Sequence, residues 1–307
     1  MSAALRTGPV RVLVPASTAN LGPGFDSAGL ALGVYDELIA MVTDDEGVLV
    51  EVAGEGSDDV PRDERHLVVQ AMQRAFDALG AKPPGFVLRC RNAIPHGRGL
   101  GSSAAAIIGG MVLARAMVSE PSMTDEDLLA LATEMESHPD NLAAALHGGF
   151  TVAWLSESGA PGCVRMDPHP DLRAVLAIPT TTVPTSKARQ VLPDDVSYSD
   201  AVHNVSRAAL LVHAMTQEPA LMWEAMSDRM HQHARVGVYP ESVALVDALR
   251  TAGIAAAISG AGPSVIVVTD RPEDVARIQR VAANAGEWVV HDLPISGHGA
   301  LERPIDL

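Results

Sequence analysis

Pro95-His96-Gly97-Arg98-Gly99-Leu100-Gly101-Ser102-Ser103-Ala104-Ala105 is the stretch on which the rest of the chain turns. Its glycines let the backbone turn tightly and approach a ligand without a Cβ in the way. The two serines and the alanines behind them open a helix. A helix N-terminus presents unpaired N–H groups and a partial positive charge, which suits phosphate, and serine hydroxyls add oxygen donors for phosphate or a hard cation. Other phosphate and nucleophile signatures are missing. There is no GxxxxGK[ST], the dinucleotide fingerprint would need glycine where Ser102 stands, and no GxSxG elbow occurs. Taken alone, the segment also reads as an ordinary strand–turn–helix junction.

Working outward, residues 86–90 read as the strand before the loop and 102–118 as the apolar helix after it. Residues 10–15 alternate as a strand, while 17–29, rich in Gly, Ser, Asn and Pro, read as a loop. Residues 33–52 carry short β-like runs broken at 44–47. Residues 65–80 form a helix closed by Gly80, and 124–136 another, with Thr124 and Asp127 set as a capping box. A turn and strand follow at 148–155. Beyond a Gly- and Pro-rich stretch at 156–170, a strand at 173–178 opens a second half. That half is mostly helical over 198–249. Strands at 254–258 and 265–268 flank a second glycine turn, before a helix at 272–285 and a strand at 287–293. Strands and helices mix without a strict βαβ repeat, which predicts an α+β fold. The division is expected between residues 1–160 and 161–307.

Bulk composition narrows the function. Of 307 residues, 47% are apolar and 20% charged, as in folded globular chains. Lys and Arg number 22 against 38 Asp and Glu, a net charge of −16. Such a surface repels phosphate backbones and argues against a nucleic-acid binder, although a pocket can be locally positive. Cys90 and Cys163 make no CxxC or zinc spacing and read as reduced thiols of a cytoplasmic protein. Residues 1–14 lack a secretory pattern. The longest clean apolar run, 104–114, is too short to span a bilayer.

The glycine loop closely resembles the second motif of the GHMP kinases, small-molecule kinases that use ATP and Mg²⁺. Pro15-Ala16-Ser17-Thr18-Ala19-Asn20-Leu21-Gly22-Pro23-Gly24-Phe25-Asp26 resembles the first motif, and Ile258-Ser259-Gly260-Ala261-Gly262-Pro263-Ser264 the third. Three motifs in order, from residue 15 to 264, cover most of the chain. The resemblance implies a ribosomal-protein-S5-domain-2-like N-terminal ATP-binding domain and a ferredoxin-like C-terminal domain with the site between them. It implies ATP contacts from Pro95, Gly97, Arg98, Gly99, Leu100, Gly101, Ser102, Ser103 and Ala104, and from Ser259, Gly260, Ala261 and Gly262.

Within the family the likeness is greatest to the branch that phosphorylates L-homoserine in threonine biosynthesis. Glu136-Ser137-His138-Pro139-Asp140-Asn141 is similar to its EGHPDN segment, with Ser137 in place of glycine. By that likeness Ser103 and Glu136 hold the metal, with Glu134 open as the alternative. Asn141 orients the acceptor hydroxyl without acting as a base, because an amide carries no proton away at neutral pH. The implied acceptor contacts are Asn20, Asp26, His138, Asp140, Asn141, Thr185, Arg189 and Arg235. Arg235 lies where the branch shows HQPYR, and His233 and Ala234 depart from that pattern. A homodimer is implied as well. Two other readings stay open: a kinase of another small alcohol, and a silent relative that only binds nucleotide or amino acid.

Overall fold

The computed structural model describes residues 3–305. Met1 and Ser2, which open the stretch read for a secretory signal, lie outside the described residues. Among those described, no helix is long and apolar enough to cross a membrane. Strands β1 (Val10–Asn20), β2 (Gly24–Thr43) and β3 (Gly47–Gly54) come first. Helix α1 (Leu67–Leu79), strand β4 (Gly85–Asn92) and helices α2 (Ser102–Ala116), α3 (Asp125–Glu136) and α4 (Pro139–His147) follow, and then β5 (Phe150–Leu155) and β6 (Pro161–Met166). The second half runs β7 (Arg173–Pro179), α5 (Thr185–Gln190), α6 (Tyr198–Thr216), α7 (Met222–Ala225), α8 (Pro240–Thr251), β8 (Ala256–Ile258), β9 (Val265–Thr269), α9 (Asp274–Ala285), β10 (Trp288–Leu293) and β11 (Leu301–Arg303). The first sheet has the order β11-β1-β2-β4-β3, with β5 paired to β2 and β6 to β5. The second is β10-β7-β9-β8, all antiparallel. That is the βαββαβ order of a ferredoxin-like domain.

Local chemistry explains the elements. In α1, Val68, Val69, Met72, Ala75 and Phe76 are buried on one face, and Gly80 ends the helix in the left-handed region at φ 65°. The expected capping box of α3 is present: Thr124 Oγ1 accepts from the Asp127 N–H at 3.1 Å, and Asp127 Oδ2 accepts from the Thr124 N–H at 2.9 Å. Such caps stabilise a helix by about 1 kcal/mol. Helix α2 is apolar all round because it is the central helix, walled in by α1, α3, α4 and the first sheet. In β7, Ala174, Leu176 and Ile178 join the core of the first half, while Val175 and Ala177 face α8 and α9 in a second core. The strand's period-2 alternation thus fastens the two halves together.

One reading needs correction, and one helix was missed. The expected loop at 17–29 is a β-hairpin: β1 continues to Asn20 and β2 begins at Gly24, with Ala16, Ala19, Leu30 and Ala31 fully buried. Small and polar residues misled because this hairpin is packed on both faces, where Ser17 and Thr18 find internal partners. Helix α4 has no counterpart in the sequence reading, which took residues 136–141 as a motif only. Proline at its first position and Asp140 in its first turn are start signals of ordinary kind. The expected division at residue 160 falls in the turn of the β5–β6 hairpin, and by strand pairing the change of sheet comes between Met166 and Arg173. The last strand, β11, returns to pair with β1 in the first sheet.

Candidate functional site

The three motifs meet at one cleft. Ser259 Oγ donates to the Gly99 carbonyl at 2.6 Å and lies 2.8 Å from Thr18 Oγ1. The Gly260 N–H donates to Ala19 O at 3.1 Å, and Asn20 Nδ2 donates to Gly260 O at 2.8 Å. The Ser17 N–H donates to Leu100 O at 3.1 Å. Gly99 and Gly101 hold φ of 74° and 68°, and a Cβ on either would overlap Ser259 O or Ser17 Oγ. Glycine is required there by backbone angle and by space together.

The cleft has a volume of about 200 Å³. At one end it is walled by Gly97, Gly99, Leu100, Gly101, Ser102, Ser103, Gly260 and Ala261. Helix α2 begins here, and its own first turn carries no acidic side chain, so its leading N–H groups suit an anion. Pro95, Arg98, Ala104, Ser259 and Gly262 shape the loops without lining the cleft. Arg98 is turned away: it donates to Pro179 O and Thr180 O, at 3.2 Å each, and ties the glycine loop to the end of β7. Behind Ser102 and Ser103 opens a second cavity of about 270 Å³, lined mainly by Val60, Pro61, Leu67, Val68 and Asn92 with His66 and His96. His96 was quoted within the glycine loop but given no role; no contiguous motif marks the others, and the sequence reading missed them.

At the other end stand Asn20, Glu136, His138, Asp140, Asn141, Thr185, Arg189 and Arg235. Arg189 forks onto Asp26, Nη2 to Oδ1 at 2.5 Å and Nη1 to Oδ2 at 3.2 Å. His138 Nε2 is 3.9 Å from the same carboxylate. Asn20, at φ 71°, accepts the Asp26 N–H on Oδ1 at 3.0 Å. Asp26 itself has φ 55°, in the left-handed region that Asn and Asp tolerate better than other non-glycine residues. The Phe25 ring lies between two guanidinium groups, with Arg189 Cζ 5.5 Å and Arg235 Cζ 5.7 Å from its centroid. Asn141 Oδ1 accepts from Ser17 Oγ at 2.9 Å, and its N–H donates to Asp140 Oδ1 at 2.7 Å. Ser17, Thr18 and Phe25 were quoted within the first motif, but the sequence reading gave them no role.

Two carboxylates here are held out of their usual range. Burial pushes Glu136 up to about 7, with Asp140 adding to the rise while Ser103 and Arg189 oppose it. Burial likewise pushes Asp140 up to about 6, against the Asn141 N–H. Glu136 Oε2 is buried without a hydrogen-bond partner. An orphaned carboxylate oxygen beside a serine hydroxyl, near the start of a helix, fits a hard divalent cation that keeps waters and phosphate oxygens as its other ligands. Among the described residues no cluster of three or more His, Cys, Asp or Glu could hold a metal by itself. Glu134, the alternative, faces away from the cleft and pairs with Arg74 at 3.6 Å.

The comparisons agree with this geometry. The family model described as the GHMP kinases N-terminal domain matches residues 66–149, and the one described as GHMP kinases C-terminal matches 207–287. A homoserine kinase of Streptomyces avermitilis is 48% identical over 305 residues, 98% of each chain. One of Streptomyces coelicolor is 50% identical over 98% of this chain and 97% of its own. A crystal structure of homoserine kinase from Cytophaga hutchinsonii superposes with a TM-score of 0.86 at 26% identity, covering 99% of this chain and all of that one.

Proposed function

The chain belongs to the GHMP kinase family, and from that premise we propose that it is a homoserine kinase, transferring the γ-phosphate of ATP to the hydroxyl of L-homoserine in threonine biosynthesis. The relatives of that name at 48% and 50% identity support the reading. The observation that carries it is the Asp26–Arg189 fork, with Arg189 and Arg235 both lining the cleft. An α-amino acid brings an ammonium and a carboxylate together. An ion pair that opens around it gives Asp26 the ammonium and the arginines the carboxylate, charge for charge.

The glycine loop and the N-terminus of α2 take the phosphates by backbone N–H groups, and the apolar cavity behind Ser102 takes the nucleobase. Ser103 and Glu136 would hold Mg²⁺, which when bound neutralises charge on the phosphate oxygens. Asn141, steadied by Ser17 and by the Asp140 carboxylate, orients the acceptor hydroxyl. Phosphoryl transfer needs alignment and charge stabilisation more than a strong base, and an amide supplies alignment alone. His138, held through Nδ1 near Glu136 O at 3.2 Å, contacts the acceptor. The reaction takes place in the cytoplasm, and the enzyme acts as a homodimer.

The test is ADP release across a panel of alcohols. Homoserine should be turned over far better than mevalonate or a cytidine-linked erythritol. Efficient use of either of those with poor use of homoserine would leave the kinase class standing and remove the acceptor assignment.

A further inference from the structure

His231 is buried, at 2% exposure, and the acceptor reading gives it no part. Its two ring nitrogens face partners of opposite demand. Nε2 lies 2.7 Å from the Gly22 carbonyl, which can only accept, so Nε2 carries the proton. Nδ1 lies 2.8 Å from Arg235 Nη1, which can only donate, so Nδ1 presents its lone pair. The ring is thereby held neutral in one tautomer.

We propose that His231, as this neutral tautomer, positions Arg235 for the carboxylate of the acceptor. The proposal rests on the homoserine reading of the cleft. Arg235 is 1% exposed, and its Nε donates to Ala188 O at 3.0 Å. Nη1 on His231 is the second anchor. Nε and one Nη1 hydrogen are thus engaged, the Tyr239 hydroxyl stands beside the same guanidinium, and the group still lines the cleft. The same ring grips Gly22, on the turn that precedes Asp26, so one side chain fixes both the arginine and the loop bearing the carboxylate. A guanidinium held at two points loses little freedom when it meets its ligand.

The charged groups around the ring favour this state. Asp228 lies 3.7 Å from Nε2, but its oxygens already accept from Asn204 Nδ2 and from the N–H groups of Met230, His231 and Gln232. Asp26 also draws the ring toward protonation, whereas burial and the Arg235 charge oppose it, and the balance holds the imidazole below its usual range. Protonation would set an N–H against the Arg235 N–H and break the second anchor.

Two variants separate the two nitrogens. His231→Gln places an amide near Nε2 and offers Arg235 no acceptor; His231→Asn places a carbonyl oxygen near Nδ1 and releases Gly22. At saturating Mg²⁺, His231→Gln should raise the KM for homoserine roughly ten- to hundredfold, as loss of a charged hydrogen bond does. The KM for ATP should stay within about twofold, and His231→Asn should recover most of the loss. His231→Gln combined with Arg235→Ala should be no worse than Arg235→Ala alone. In the wild type at neutral pH, the ring nitrogens of His231 should show the NMR shifts of the neutral tautomer protonated on Nε2. Arg235→Ala with a raised homoserine KM, but His231→Gln without one, would overturn the role of His231. Equal rises for both substrates would overturn it too, by making the histidine merely structural. Arg235→Ala with an unchanged homoserine KM would instead overturn the carboxylate reading. If His231→Gln does not fold, the nitrogen shifts of His231 in the wild type decide: a ring protonated on Nδ1 at neutral pH overturns the proposal.

Discussion

The two ends of the cleft are built from different materials. The phosphate end is backbone: glycines at positive φ, the opening turn of α2, and two hydroxyls. Its nearby arginine, Arg98, is spent on carbonyls outside. The acceptor end is charge: Asp26, Arg189 and Arg235, drawn from positions more than two hundred residues apart and partnered before any ligand arrives. A protein of net charge −16 can therefore receive a polyphosphate, because helix N–H groups attract it locally without a basic surface. On the proposed reading, it recognises its second substrate by the placement of a few charges.

Where the two ends touch, at Ser103 and Glu136, the contrast predicts the largest effects. Ser103→Ala and Glu136→Gln should each lower turnover about 10²–10³-fold, the usual scale for losing electrostatic stabilisation of a transition state, with a weakened response to Mg²⁺. Glu134→Gln should leave both near wild type, as its place beside Arg74 requires. The raised Glu136 carboxyl fixes the signs with pH. Protons compete with the cation, so apparent Mg²⁺ affinity, followed by titration, should weaken as pH falls through about 7. In the ligand-free protein the same rise means stability is full below pH 4.5 and is lost as pH climbs to about 7. Glu136→Gln should then unfold at a higher temperature than wild type at pH 8, by the equivalent of about 1–3 kcal/mol, and at nearly the same temperature at pH 4.

At the acceptor end, Arg189→Ala and Arg235→Ala should cost roughly ten- to hundredfold in kcat/KM for homoserine and leave ATP binding, measured by equilibrium titration, close to normal. Loss of ATP binding in step with homoserine would erase the division between the two ends. His138→Gln should retain kcat within about tenfold at saturating Mg²⁺, with no pH–rate limb removed. Loss of most activity together with a limb near neutrality would make it the base.

This difference in materials also governs what could be read from the chain alone. The phosphate end is contiguous in sequence, so residues 95–105 announced it, and its glycines proved necessary for angle and space. Asp26, Arg189 and Arg235 became visible only through the family resemblance, since a lone arginine carries no local signal. His231 opens the segment that corresponds to HQPYR, but its two hydrogen bonds reach Gly22 and Arg235 by folding alone. The apolar cavity behind Ser102 has no periodicity of its own, being the junction of α1, the residues after β4 and the first turns of α2. The α+β class followed from strands and helices of ordinary pattern, and the ferredoxin-like half from the family resemblance. The hairpin at 17–29 did not, because its buried small and polar residues look like those of a loop.

The smallest expected effect lies where the chain departs from its branch. Ser137 caps α3 at φ 66°, a left-handed position where glycine is favoured. Ser137→Gly should raise stability by about 0.5–1 kcal/mol in a denaturant titration and leave kinetics unchanged. A loss of stability would mean that the serine side chain has a partner role that its backbone angle hides.

The central claim, that the charged end reads an amino acid, is met most directly by comparing homoserine with homoserinol, which keeps the ammonium and the reacting hydroxyl but lacks the carboxylate. Wild-type kcat/KM should fall at least about tenfold on removing that group, and a variant with both Arg189→Ala and Arg235→Ala should hardly distinguish the two alcohols. Equal use of both by the wild type, or an undiminished preference in the double variant, would contradict the account.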